Sequence, residues 1–282
     1  GIPLPPPLKA PAVSVLQKLC VSLSLVPDLA KGEFTGSKKR FEKQQRSIQK
    51  RVGRLHGGGR ILLVDDQAGS GWTAVLESVL GRTVESYEEA TGFLDEIFPE
   101  TSEASAPEPA FLDSVDLLFL DLRLVTDKAR MERFGAELLR RAIRSGLFDE
   151  ARPSAWSRMS KTEAESLRKD CLSGTVDLPS LLSLLPRILA WLDPFLPVIV
   201  FSSTGRRDVL EELHGFGSLV TCLEKPRFFG PRQHRFALDF LQDLGAALGE
   251  AIPLSLGRRA AHCLREEAAR QLAFDDPSAK YW

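Results

Sequence analysis

Three aspartates, two serines and a lysine stand at the ends of apolar runs in this chain, and together they could handle phosphate and a divalent cation. Asp65 and Asp66 follow RILLV (60–64), and Asp121 follows VDLLFL (115–120). Ser202 and Ser203 follow PVIVF (197–201), and Lys225 comes just after SLVTCL (218–223). Carboxylates gathered in one place repel and call for a cation. An all-oxygen set of this kind suits Mg2+ or Mn2+. A carboxylate beside such an ion can attack phosphorus, while a lysine and a hydroxyl donate to phosphoryl oxygens. Plainer readings exist for each residue. Asp65 or Asp66 would serve as a cap for the next helix, and Lys225 as a surface lysine.

The elements that must position these groups alternate along the chain. Between the strand-like runs lie amphipathic, helix-length segments: WTAVLESVL (72–80), GAELLRRAI (135–143) and RRDVLEELHGF (206–216). TVESY (83–87) reads as the remaining strand, a helix follows from about 87 to 98, and TSEASAPEPA (101–110) reads as a loop. Alternating strand and helix predicts an α/β fold, a doubly wound parallel sheet covered on both faces. The near-continuous aliphatic strands fit that burial. Open parallel sheets bind ligands at the carboxyl ends of their strands, where all the chosen residues fall.

Other segments do not join the alternation. Residues 1–12 are proline-rich, a composition that predicts an extended start, and 13–25 carry a short helical stripe. KKRFEKQQRSIQKRVGRLH (38–56) predicts a strongly basic helix with Phe41, Ile48, Val52 and Leu55 on one face, stopped by HGGG (56–59). Residues 145–195 read as a helical insertion, with a polar helix at 160–172 and an apolar one at 178–192 that Pro186 kinks or divides. After the fifth strand the spacing predicts a helix over 234–250 and a separate amphipathic helix over 256–272. The expected organisation is a proline-rich and basic helical segment (1–57), a central α/β domain (58–250) and a helical extension (251–282).

Composition narrows the classes. The chain has 282 residues, 43% hydrophobic and 27% charged, as a globular protein does. Its net charge of −1 provides no global pull towards nucleic acid or membrane. No run reaches the length of a membrane span, and the opening GIPLPPPLKAPAV lacks the charged start and apolar core of a secretory signal. Cys20, Cys171, Cys222 and Cys263 are scattered without ligand spacing, which fits reduced thiols in a cytoplasmic protein. The histidines are dispersed, and no Ser-His-Asp set, P-loop or dinucleotide fingerprint competes.

Taken in order, ILLVDD, DLLFLDLRL, PVIVFSS and LEKP resemble the receiver domain of bacterial two-component response regulators, over about 60–144 and 196–250. The resemblance implies a flavodoxin-like sheet of five parallel strands in the order 2-1-3-4-5. It places the acid pair on Asp65 and Asp66, the phospho-acceptor on Asp121 and a metal-binding backbone carbonyl on Arg123. It places the switch hydroxyl on Ser202, the small residue after it on Ser203, the lysine on Lys225 and the third-helix glycine on Gly135. It further implies Mg2+ dependence, phosphorylation by a sensor histidine kinase or phosphotransfer protein, and output through protein contact, with the insertion and flanking helices as the surface.

The chain also departs from that family. The loop LRLVTDKARMERF between Asp121 and Gly135 is long and adds Arg123, Lys128, Arg130 and Arg133. The aromatic switch position of the fifth strand falls on Cys222, and the insertion occupies a crossover that the family keeps short. These differences keep a second reading open, a receiver-like scaffold or adaptor that does not use phosphorylation. A haloacid-dehalogenase-type phosphatase would share the order Asp121, Ser202, Lys225, but it needs an acid where Arg123 stands. The basic helix invites a nucleic-acid reading, set against helical packing on a partner or a second copy, which its apolar spacing favours.

Overall fold

The computed structural model of the chain describes residues 31–55, 57–98, 110–121, 128–144, 195–202, 220–225 and 233–275, with isolated positions at 169, 185–186, 188–189 and 192–193. The expected helices at 13–25, 160–172 and 206–216, and the loop at 101–109, lie outside the described residues (apart from Lys169).

The sheet has five parallel strands in the order β2-β1-β3-β4-β5. They are β1 (Arg60–Val64), β2 (Glu85–Tyr87), β3 (Val115–Leu120), β4 (Val198–Ser202) and β5 (Val220–Glu224). The helices are α1 (Lys31–Val52), α2 (Trp72–Leu80), α3 (Ala90–Ile97), α4 (Ala110–Asp113), α5 (Lys128–Arg144) and α6 (Gln233–Asp275). The order and parallel sense agree with the sequence expectation, and the α/β class follows directly.

Each central strand is buried on both faces, so successive residues feed two separate cores. Ile61, Leu63, Leu117, Phe119, Ile199 and Phe201 pack with Trp72, Val75 and Leu76 of α2 and with Phe240, Leu241, Leu244 and Leu248 of α6. Leu62, Val64, Leu118, Leu120, Val198 and Val200 pack with Phe93 and Leu94 of α3 and Leu138 and Ala142 of α5. Leu185, Ile188 and Leu189, from the stretch expected to form the apolar helix of the insertion, are helical and join this second core.

The structure corrects several sequence expectations. The basic helix does not leave its apolar face for a second copy. Phe41, Ile48 and Val52, with Leu55 just beyond α1, are buried in the first core. Gln45 and Gln49 of α1 donate to the Ser78 carbonyl at 2.9 and 3.2 Å, which fixes the rotation of the helix about its own axis. The segment after Asp121 is less of a loop than its polarity implied, because α5 begins at Lys128. Ala, Arg, Met and Glu there favour helix regardless of burial.

The two helices expected after β5 are a single one, α6, which runs through Pro253 and across the expected boundary at 250/251. A proline in mid-helix removes a backbone hydrogen bond and normally bends or ends the helix. Here both sides are anchored: Ala251 and Ile252 are buried in the first core, and Ser255, Arg258 and Arg259 are tied to the amino end of β3. Tertiary contacts hold the two halves in line where local preference would separate them.

Candidate functional site

The carboxyl edge of the sheet is built by register. Val64 of β1 pairs with Leu120 of β3, so the residues that follow, Asp65 and Asp121, are neighbours by construction. Both backbones are still bonded to the sheet, with Asp65 N–H donating to the Tyr87 carbonyl at 3.0 Å and Asp121 N–H to the Val64 carbonyl at 2.9 Å. The two carboxylates therefore project from a rigid edge.

Asp65 uses its Oδ1 to accept the Gln67 N–H at 2.8 Å, closing the turn that leads to α2. That turn and a single 3-10 turn (Ala68–Ser70) separate it from α2, whose own N-cap is Gly71 without a side-chain bond. Neither acid caps the helix as the plainer reading expected: Asp65 Oδ1 closes only the turn, which leaves Oδ2 aimed elsewhere. Carboxylate oxygens of Asp65, Asp66 and Asp121 all lie within 4.8 Å of one another. Asp65 and Asp121 are buried and Asp66 is half-buried.

Lys225 enters from beyond β4. It follows β5, whose Glu224 pairs with Ser202, and its side chain reaches the acids that follow β1 and β3. Its Nζ donates to Asp121 Oδ2 at 2.5 Å and lies 2.8 Å from Asp65 Oδ2. The second contact is ionic without the angle of a hydrogen bond, and Asp65 Oδ2 is buried with no hydrogen-bond donor. Phe201 underlies the ammonium, its ring centroid 5.3 Å from Nζ, a distance at which the ring face still attracts a cation. Lys225 is itself only 3% exposed.

Electrostatically the pocket is short of positive charge. Among the described residues, one ammonium, that of Lys225, faces three carboxylates. Burial pushes the Asp65 carboxyl above its usual range; Lys225 opposes this and the Asp121 charge adds to it. Asp66 is raised for the same first reason, burial, and then by Asp121. A divalent cation would relieve both, and Asp65 Oδ2, paired with Lys225 but not hydrogen-bonded, is a ready ligand.

The structure thus brings Asp65, Asp66, Asp121 and Lys225 to one place. Ser202 closes β4 opposite Glu224, one position before Lys225. Arg123 and Ser203 lie outside the described residues. Gly135 is buried within α5, and Cys222 is half-buried against the second core, its thiol pushed up to about 11 by burial.

A second polar cluster has no local signature in the sequence. At the opposite, amino end of β3, fully buried Asp116 receives Arg259 Nε at 2.5 Å and Ser255 Oγ at 3.4 Å on Oδ1. Arg258 donates to Asp193 Oδ2 at 2.6 Å and to the carbonyls of Val115 and Leu112, each at 2.7 Å. The signal was present as one acid inside the apolar run VDLLFL and an Arg-Arg pair in α6, but nothing local connects them.

Comparison with family models, with curated proteins and with solved structures found no match for this chain. No helix of the described residues is long and apolar enough to cross a membrane.

Proposed function

We propose that this chain is an atypical receiver-type signalling module, of flavodoxin-like fold with a helical insertion and flanking helices, that accepts a phosphoryl group on Asp121. The observation that supports this reading most is the meeting of Asp65, Asp66 and Asp121 with Lys225 at the carboxyl edge of a parallel sheet. The donor is a phosphohistidine of a sensor kinase or phosphotransfer protein, or a small acyl phosphate. A carboxylate oxygen of Asp121 forms the new bond to phosphorus as the bond to the donor nitrogen or oxygen breaks, and the leaving group departs with its electron pair. Lys225, already within reach of Asp121, then turns its ammonium to an oxygen of the arriving group. Ser202 is the hydroxyl expected to donate to another.

The donor set fits Mg2+ or Mn2+: among the described residues, three carboxylates meet one ammonium, and Asp65 Oδ2 has no hydrogen-bond donor. Asp65, Asp66, Asp121 and the Arg123 carbonyl would hold the ion, which when bound offsets the charge that gathers during transfer. Output passes to a protein partner through the flanking helices and the insertion.

A receiver-like scaffold that no longer uses phosphorylation is the second reading, and Cys222 favours it. Where the family has an aromatic residue that turns inward on activation, this chain has a small thiol packed against the core. One experiment separates the two. The protein is incubated with Mg2+ and acetyl phosphate or beryllofluoride, then followed by intact mass and thermal shift. A gain of one phosphoryl group, lost in Asp121→Asn, is the expected result. Wild type with neither adduct nor metal-dependent shift would establish the scaffold reading, and an adduct persisting in Asp121→Asn would reassign the acceptor.

A further inference from the structure

The exposed side of α1 is a basic surface with no use inside the fold. From Lys39 to Arg54 the chain carries seven basic residues and one acid. That is a charge of +6 against −7 for the rest of the chain, so the overall −1 hides a strong asymmetry. Lys39, Arg40, Lys43, Arg46, Lys50 and Arg54 are all exposed. Among the described residues only Arg46 meets an acid, Glu42, at 3.9 Å across solvent. The seventh, Arg51, is engaged with the Gly245 carbonyl at 2.6 Å and helps to fasten α1 to α6.

The spacing is regular because the other face is taken. Phe41, Ile48 and Val52 are buried, and Gln45 and Gln49 are bonded to Ser78, so the outward positions are set by helical period. Lys39, Lys43, Arg46 and Lys50 follow each other at four, three and four residues and form one line along the helix. The line runs for about 16 Å at 1.5 Å per residue. Like charges held this close repel one another, and an extended polyanion relieves that repulsion.

We infer that this face binds the phosphate backbone of duplex nucleic acid without reading its bases. A rigid row of Lys and Arg is suited to repeated phosphates, which supply sequence-independent affinity by counterion release. Two other polyanionic partners fit less well. Helices that settle on lipid bury an apolar face in the headgroup boundary, and the apolar face of α1 is already buried in the protein core. Single strands need aromatic platforms for stacking, and the exposed side chains between Lys39 and Arg54 include none.

The test uses the full chain and a labelled duplex of mixed sequence, followed by fluorescence anisotropy across a salt series. Binding is expected to weaken steeply with salt, with a log–log slope of about −4 to −5 for five phosphates neutralised. Replacing Lys39, Lys43, Arg46 and Lys50 together by Gln keeps helix preference and leaves the buried face untouched. This variant is expected to lose about ten-fold or more in affinity and about three to four in slope. Its thermal midpoint is measured alongside, so that lost binding is not mistaken for lost fold. Duplex affinity unchanged in the folded variant would overturn the inference. So would binding through the same residues to anionic lipid vesicles or to polyglutamate that exceeds duplex binding at equal salt. None of these outcomes depends on whether Asp121 accepts phosphate.

Discussion

Gly59 lies so close to the carboxylate of Asp116 that a methyl group on Gly59 would sit 1.7 Å from Asp116 Oδ2. The contact arises because β3 has one residue more than β1 at this end. Arg60 pairs with Val115 and Ile61 with Leu117, and Asp116 is the extra residue between them. A bulge of this kind re-aims a side chain, and here it turns Asp116 towards α6, where Ser255 and Arg259 hold it.

Gly59→Ala is therefore expected to destabilise the protein by about 1–3 kcal/mol, the usual cost of overpacking. Asp116 cannot swing aside without giving up Arg259 and Ser255. Urea unfolding of the single and double variants with Asp116→Ala checks this: the two losses should fall well short of additive, since they share one contact. Additive losses would mean that the close approach carries no energy.

Arg258 is the second fastening of α6 to the sheet. It donates to Asp193 and to two backbone carbonyls that precede and begin β3. Arg258→Ala leaves these acceptors short of a donor and is expected to cost about 2–4 kcal/mol. Hydrogen exchange gives the sharper reading. Protection should fall selectively in α6 beyond Pro253, while the half before it, packed in the first core, keeps its protection.

Lys225→Met removes the ammonium between Asp65 and Asp121 and leaves two buried acids without that cation. With a chelator present the expected loss is about 3–5 kcal/mol, as for other broken buried pairs. Divalent cation should restore much of it, because a bound ion supplies the missing positive charge. A loss that cation leaves unchanged would argue against a metal site.

The acid pocket should also shape the pH dependence. The folded-state values of Asp65 and Asp66 lie above their ordinary 3.8, chiefly from burial. The folded state thus binds protons more readily than the unfolded chain. The contribution of these groups to stability falls as pH rises from 3.8 through the raised values, and the cost is complete above them. In chelator, Asp66→Asn is expected to unfold at a higher temperature than wild type near neutral pH, with the gap closing as the pH is lowered. With Mg2+ the order should reverse at neutral pH, since only wild type keeps the full ligand set. Thermal melts across pH, with and without the ion, check both signs.

The sequence foretold the sheet well where burial dominates. RILLV and VDLLFL are strands over the expected residues, because a strand covered on both faces must be apolar at every position. It did less well for α6 and the start of α5. Two helices were expected where anchoring on both sides of Pro253 keeps one, and the polar KARMERF looked like loop although its residues favour helix. The acid pair was legible because strand ends in a parallel sheet share one edge. The Asp116 cluster was not, since its partners are more than a hundred residues apart in the chain.

By itself the sequence determined which residues could form a parallel sheet and that Asp65, Asp66, Asp121 and Lys225 would fall at strand ends. Those features depend on local pattern and on the geometry that all parallel sheets share. Only the tertiary structure decided that Lys225 sits between two of the acids, that the third glycine of HGGG makes room for Asp116, and that the apolar side of α1 is consumed within the fold. Each of these depends on which surface of one element meets which surface of another. Packing chooses that meeting through shape and charge, and no local run of residues records it.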